Sequence, residues 1–173
     1  MAGYRIRTFG DPVLKRRSEE VGEIDGRIAQ LAQEMYTTMR EANGLGLAAP
    51  QVGVGRRMFV YEIGESGLRT MINPVIAEAD GEWEHEEGCL SVPGLYFPIV
   101  RAKRVLVKGY DIDGNEVSVE AEDLEAKLYQ HELDHLDGRL LLELLDDDQR
   151  KQAMRELRRR AESEASQGGQ PPR

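Results

Sequence analysis

The chain has 173 residues, the size of one ordinary domain, which is enough to bury a core without disulfides. Asp and Glu outnumber Lys and Arg by 32 to 23, and a net charge of −9 argues against a DNA-binding protein. The single cysteine, the lack of an apolar signal segment at the N-terminus and the lack of a long apolar run together predict a cytoplasmic protein without membrane contact.

The first predicted element is a helix over about 26–42. Apolar residues from Ile28 to Met39 recur at helical spacing, Asp25 can cap the start, and Asn43 and Gly44 can end the helix. Residues 44–55, GLGLAAPQVGVG, follow. Their glycine content predicts a loop whose backbone can approach another group closely.

The middle of the chain is predicted to be mostly sheet. β-branched and aromatic residues indicate strands over 56–63 and 69–77. Residues 103–121 predict two further strands, joined by a tight hairpin at Asp113-Gly114.

A second helix is indicated by Leu124, Leu128, His131 and His135, which follow steps of three and four and therefore share one helix face. Gly138 can end this helix.

A third helix is predicted over about 147–164, and the polar residues 166–173 are predicted to form a disordered tail. The order of elements predicts one α+β domain over 1–165. Mixed or antiparallel sheets would pack around the histidine-bearing central helix, with helices at both ends.

The sequence HELDH at 131–135 is a candidate metal site. Its histidines stand at i and i+4, so both imidazoles can reach one divalent ion about 2 Å away. Glu132 is the neighbouring candidate for a general base. Two histidines without a metal are the alternative, and five residues alone do not decide between them. A catalytic site needs a third ligand and an open position, for which Cys89 is the soft candidate, although a lone cysteine is more often a small buried hydrophobe.

Three separated segments resemble the signature motifs of the bacterial-type peptide deformylase family, in the family's order and spacing: GLGLAAPQ at 44–51, EGCLS at 87–91 and QHELDHLDG at 130–138. GDPVL at 10–14 is similar to the family's N-terminal segment, and the similarity extends over about 4–160. The resemblance implies a metal-dependent hydrolase that removes the formyl group from the N-terminal formyl-methionine of nascent polypeptides and releases formate.

The resemblance also implies roles for particular residues. Three of them would hold one divalent ion, ferrous iron in the cell with zinc as the alternative: Cys89, His131 and His135. Glu132 would act as general acid and base on the attacking water and the departing amine. The Gln51 side chain and the Leu90 backbone N–H would stabilise charge on the formyl oxygen.

Substrate contacts are implied in the same way. Leu45 and Gly46 would pair with the extended peptide, as in β-strand addition. Three leucines would form the methionine pocket, with ordinary core packing as the alternative: Leu45, Leu124 and Leu128. His85 stands where relatives usually carry an apolar residue, which predicts more polar surroundings there.

Glu87 and Arg101 resemble a pair that supports the cysteine loop, and a solvated surface pair is the alternative. The basic run 155–160 is a candidate contact with ribosomal RNA, and a solvated helix face is the alternative.

Two other functions remain to be distinguished. A zinc endopeptidase also carries HExxH, but its third-histidine position holds Leu141, and its glutamate ligand would have to be a residue such as Glu156. A non-catalytic paralogue is the other, although Glu132, Gln51 and all three candidate ligands are present.

Overall fold

The computed structural model of the chain describes residues 3–167. Within that range the α-helices are α1 Gly26–Glu41, α2 Asp123–Leu136 and α3 Asp147–Gln167. The strands are β1 Gly46–Ala48, β2 Met58–Tyr61, β3 Arg69–Asp80, β4 Trp83–Cys89, β5 Val92–Arg101, β6 Arg104–Tyr110 and β7 Glu116–Glu122. Short 3-10 helices cover Pro12–Lys15, Ala49–Val52 and Leu141–Leu144. None of the described helices is long and apolar enough to cross a membrane.

The strands form two antiparallel sheets. The larger one has the order β1-β2-β3-β6-β7, and β4 and β5 form a separate hairpin. β1 is therefore an edge strand, with Gly46 paired to Tyr61 of β2 on one side only. An edge strand leaves one row of backbone N–H and C=O groups available to another extended chain.

Helix α2 is the central helix of the fold. It packs against the larger sheet through residues such as Leu128, Tyr129 and Leu136, each of them buried. The Tyr129 and Tyr61 hydroxyls are hydrogen-bonded at 2.7 Å, which ties α2 to β2. After the last turn, Gly138 adopts φ 74°, and a Cβ there would lie 2.7 Å from the Lys15 carbonyl oxygen, so glycine is needed at this point.

Two further clusters of apolar residues complete the core. One lies between α1 and the sheet and includes Met35, Met39 and Leu47. The other lies under the β4-β5 hairpin, where Ile99 and Ala153 bring the hairpin and α3 together. Full burial of a side chain such as Met or Leu contributes roughly 1.5–3 kcal/mol, so these clusters hold the hairpin on the domain.

The predicted α+β class is confirmed, and so are the three helices and the hairpin at Asp113-Gly114. The loop prediction for 44–55 was wrong in part. Residues 46–48 form β1 and 49–52 form a 3-10 helix, because pairing with β2 and burial of Leu47 stabilise an ordered backbone.

The predicted tail begins inside a helix, since residues 166 and 167 belong to α3. Residues 168–173 lie outside the described part of the chain. The single domain over 1–165 with a disordered tail stays a prediction.

Candidate metal centre

The candidate centre lies where α2 meets the end of β4. His131 and His135 leave α2 one turn apart, with their Nε2 atoms 3.2 Å from each other. Cys89 is the last residue of β4, and its Sγ lies 3.3 Å from His135 Nε2. The three ligand atoms all lie within 4.8 Å of one another, and all three side chains are buried.

These separations fit one tetrahedrally coordinated ion. Metal–nitrogen bonds of about 2.0–2.1 Å and a metal–sulfur bond of about 2.3 Å place neighbouring ligand atoms roughly 3.3–3.6 Å apart. The two separations in the structure, 3.2 and 3.3 Å, lie within about 0.3 Å of that arrangement. Two imidazoles and one sulfur leave a fourth position for water or substrate, as a catalytic site requires.

The surroundings of the cysteine favour its thiolate form. Burial raises the pKa of the Cys89 thiol, but His135 and His131 outweigh burial, and the pKa lies well below its usual value. The Ser91 backbone N–H also donates to Sγ at 3.4 Å. The thiolate that these groups favour is the ligating species.

A buried charge network lies behind His131. Its Nδ1 contacts the Glu87 carboxylate, which Arg101 also holds through two donated bonds of 2.6 and 3.1 Å. Arg101 donates a third bond to Asp134 at 2.6 Å. Burial raises the pKa of Glu87, but hydrogen bonds from His131 and Arg101 outweigh burial and lower it.

This network differs from a solvated surface pair, because Glu87 is 0% exposed and Arg101 is 8% exposed. It fixes the orientation of the His131 ring directly, whereas it reaches Cys89 only through the backbone of β4. His135 lacks a matching support, since its Nδ1 has no hydrogen-bond partner within residues 3–167.

Gln51 is fixed beside the centre. Its Oε1 accepts a 2.9 Å bond from the Ala48 backbone N–H, which leaves Nε2 facing Ser91 Oγ at 3.2 Å and Cys89 Sγ at 3.9 Å. The side-chain amide therefore presents a donor to the space next to the sulfur.

Glu132 is buried without a protein partner on one oxygen. Its Oε2 makes no hydrogen bond within the described residues, and burial raises the pKa of its carboxyl group. A buried carboxyl oxygen without a partner is costly, so the position suits a water or a substrate group. Gly46 makes room for Glu132, because a Cβ there would lie 2.5 Å from Oε1.

A pocket of about 340 Å³ opens onto these groups. Nine of the predicted site residues line it: Leu45, Gly46, Gln51, Cys89, Leu90, Leu124, Leu128, His131 and Glu132. Leu45 is 49% exposed and Leu124 is 42% exposed, which argues against ordinary core packing for these two, whereas Leu128 is buried at 5%. The other predicted residues, His135, Glu87 and Arg101, lie behind the pocket wall and are buried.

Several lining residues were not predicted from the sequence, among them Lys127 and Tyr96. Lys127 stands four residues before His131, so its helical spacing could have identified it. Tyr96 crosses from β5, and its ring occupies the space beside Gly88, where a Cβ would lie 2.5 Å from it. No local pattern in the sequence predicts that contact.

Neither position that the endopeptidase alternative would use for a third ligand contributes to the cluster. Leu141 carries no donor atom, and Glu156 lies on α3, where it accepts hydrogen bonds from Arg159 and Arg160. Cys89 is therefore the third member of the cluster.

An HExxH helix, a thiolate as third ligand and a buried glutamate at an open pocket define a mononuclear metallohydrolase. The sequence pattern of the family described as polypeptide deformylase matches residues 4–151. The peptide deformylase of Carboxydothermus hydrogenoformans is 48% identical over 151 residues, 87% of this chain and 99% of that one. The chain thus belongs to the polypeptide deformylase family, which confirms the predicted family and the prediction that the chain is an enzyme.

Other relatives agree. The peptide deformylase of Acidothermus cellulolyticus is 45% identical over 158 residues, 91% of this chain and 87% of that protein. The crystal structure of a peptide deformylase from Legionella pneumophila matches with a TM-score of 0.89 and 37% identity, over 98% of this chain and 100% of that one. The peptide deformylase from Ehrlichia chaffeensis in complex with actinonin matches with a TM-score of 0.88 and 37% identity, over 92% and 98% of the two chains.

Proposed function

We propose that the chain removes the formyl group from the N-terminal formyl-methionine of nascent polypeptides in the cytoplasm. The observation that carries this proposal is the buried Cys89, His131 and His135 cluster, with the unpartnered Glu132 oxygen beside it at the base of a pocket. A divalent ion held by these three residues would lower the pKa of bound water and polarise a carbonyl group.

Glu132 moves the proton in this reaction. Its free Oε2 takes a proton from the attacking water as the oxygen bonds to the formyl carbon. It then returns the proton to the departing nitrogen as the carbon–nitrogen bond breaks, which yields formate and a free amino terminus. A carboxyl pKa raised by burial suits a group that must both accept and donate.

Gln51 and Leu90 stabilise the developing charge. The Gln51 amide is already oriented by Ala48, so its Nε2 can donate to the formyl oxygen in place of its long 3.9 Å contact with Cys89 Sγ. Leu90 follows Cys89 directly and lines the pocket, so its backbone N–H is the second proposed donor. Together they supply two donors on the side of the cysteine.

The peptide binds along the free edge of β1. Gly46 of β1 and Leu45 just before it offer backbone groups to an extended chain, with the Leu45 carbonyl oxygen already accepting a bond from the Glu62 N–H. Main-chain pairing tolerates many side chains after the first. The methionine side chain enters the apolar space between Leu45, Leu124 and Leu128. Its burial contributes roughly 1.5–3 kcal/mol.

Formate release from a formyl-Met-Ala-Ser peptide by anaerobically purified protein tests this function. We expect rapid release from the formyl peptide and none of acetate from the acetyl-Met analogue. Cleavage of internal bonds in unformylated peptides would favour the endopeptidase. An absence of formate despite stoichiometric metal would favour the non-catalytic paralogue.

We propose ferrous iron as the metal in the cell, with zinc able to bind. Imidazole and thiolate donors accept both ions, and a thiolate on iron is open to oxidation. As the family resemblance implies, we expect the iron-loaded protein to be the more active form. Because its thiolate is open to oxidation, we expect it to lose activity in air, while the zinc-loaded protein keeps its lower activity. Metal content, measured on the same samples as the rates, checks that the site is filled in both preparations. Equal rates of the iron-loaded and zinc-loaded proteins without oxygen contradict the proposal.

We also propose that α3 contacts the ribosome. Arg155, Arg158 and Arg159 are exposed on it, whereas Arg160 is turned toward the domain and donates to the Pro93 carbonyl at 2.5 Å. Exposed arginines can bind phosphates even on an acidic protein. We expect the double variant Arg155→Glu/Arg158→Glu to cosediment less with ribosomes at low salt than the wild type. The control is Arg104→Glu, an exposed arginine on β6, and equal cosedimentation of all three proteins contradicts the contact.

A further inference from the structure

Lys127 is the one ammonium group among the residues that line the pocket. It stands on α2 between Leu124 and His131 at helical spacing, so its side chain shares their face of the helix. The side chain is half-buried, and it has no ion pair or side-chain hydrogen bond within residues 3–167.

The charged groups around Lys127 leave its ammonium group without a hydrogen-bond acceptor within residues 3–167. Glu87 is the carboxylate whose charge acts on it, and both Glu87 oxygens are already engaged by His131 and Arg101. Burial lowers the pKa of Lys127, and Arg101 lowers it further. His85, which does not line the pocket, has two buried ring nitrogens without a hydrogen-bond partner within residues 3–167, and burial and the charge of Lys127 lower its pKa. Within the same range the ammonium group of Lys127 therefore keeps donors that no protein acceptor uses.

A half-buried ammonium with unused donors favours a ligand that brings an acceptor. The neighbouring lining residues are apolar, and they are the ones proposed to hold the first side chain of the substrate, namely Leu45, Leu124 and Leu128. The aliphatic stem of a lysine can cover apolar surface while its charged end makes a polar contact. A thioether can therefore bind beside the stem of Lys127, and a side chain with a stronger hydrogen-bond acceptor should bind there more tightly.

We propose that Lys127 is a specificity-determining residue that donates a hydrogen bond to the first side chain, so that the enzyme deformylates peptides beginning with formyl-methionine sulfoxide as well as formyl-methionine. This inference rests on the proposed function. Oxidation converts the methionine side chain from apolar to polar, and a purely apolar pocket rejects the product. A site with a matching donor accepts it.

The test compares two substrates of similar shape with the metal-loaded full chain: the formyl-methionine sulfoxide and formyl-norleucine forms of the Ala-Ser peptide. The ratio of kcat/KM for sulfoxide over norleucine is the quantity measured. We expect Lys127→Met to lower this ratio at least about tenfold, because a site that hydrogen-bonds a substrate group discriminates strongly against its loss. Lys127→Arg keeps a donor and should change the ratio less than about threefold, as should Lys108→Met, which removes an exposed lysine from β6.

A second measurement tests Lys127 independently of catalysis. Calorimetry gives the affinities of the deformylated peptides Met sulfoxide-Ala-Ser and norleucine-Ala-Ser. The same fall in the sulfoxide preference with Lys127→Met is expected. An unchanged preference in that variant overturns the role of Lys127. Absence of formate from every formyl peptide, with the binding preference intact, overturns the proposed reaction instead.

Discussion

Glu132→Gln is expected to lower kcat for the formyl-Met peptide by roughly 10²–10⁴-fold, the usual contribution of a positioned general acid and base. The amide has nearly the shape of the carboxyl group, so packing at this 3% exposed position is kept. It cannot accept a proton from water and return it to the amine. Steady-state kinetics of anaerobically loaded protein measures the effect, with metal content determined on the same samples.

The interpretation requires that the variant still binds metal. We expect it to do so, because Glu132 is not a member of the Cys89, His131 and His135 cluster. Glu120→Gln on β7 is the matched control, because this glutamate is exposed and lies outside the pocket. Gly46→Ala should displace the Glu132 carboxylate while leaving its chemistry intact, because the added Cβ would lie 2.5 Å from Oε1. Retention of more than a tenth of wild-type kcat by a fully loaded Glu132→Gln protein contradicts the assigned role.

Local rules made the three ligands candidates, and the family resemblance joined them into one set. His131 and His135 share a helix face by spacing alone, and Cys89 is the one thiol of the chain. The pairing of Glu87 with Arg101 came from the family resemblance, and the structure shows that it is buried. Its contact with His131 was not predictable, because it depends on how β4 lies against α2 rather than on either segment.

The β4-β5 hairpin shows the same limit. Its first strand, WEHEEGC, carries four charged or imidazole side chains in seven residues, which hides the alternation typical of a strand. Pairing with β5 and burial of Glu87 against Arg101 stabilise it instead. Lys127 differs, because its spacing on α2 puts it on the face of Leu124 and His131, but a charged side chain is more often solvent-exposed and was not assigned to the pocket.

Arg101→Met is expected to destabilise the protein by about 3–5 kcal/mol, the usual cost of removing one partner from a buried ion pair. Two carboxylates, Glu87 and Asp134, lose the guanidinium group to which they are hydrogen-bonded. Glu87 is 0% exposed, so water cannot replace that group. Urea unfolding measures the free energy. Competition with a chelator measures metal affinity, for which a 10–100-fold loss is expected because Glu87 orients His131, and the loss of such support has about this effect.

The pH dependence of the same variant tests the cause. Because the pKa of Glu87 is lowered in the folded protein, its stabilising effect is present at neutral pH and is lost as the pH falls toward the folded pKa. The stability gap between wild type and Arg101→Met should therefore narrow in acid. Arg104→Met is the control, since that arginine pairs with Asp80 and Glu122 at 61% side-chain exposure and should contribute no more than about 1 kcal/mol. Equal losses for the two variants, or a gap that does not change with pH, would show that the buried network is not what holds His131 in place.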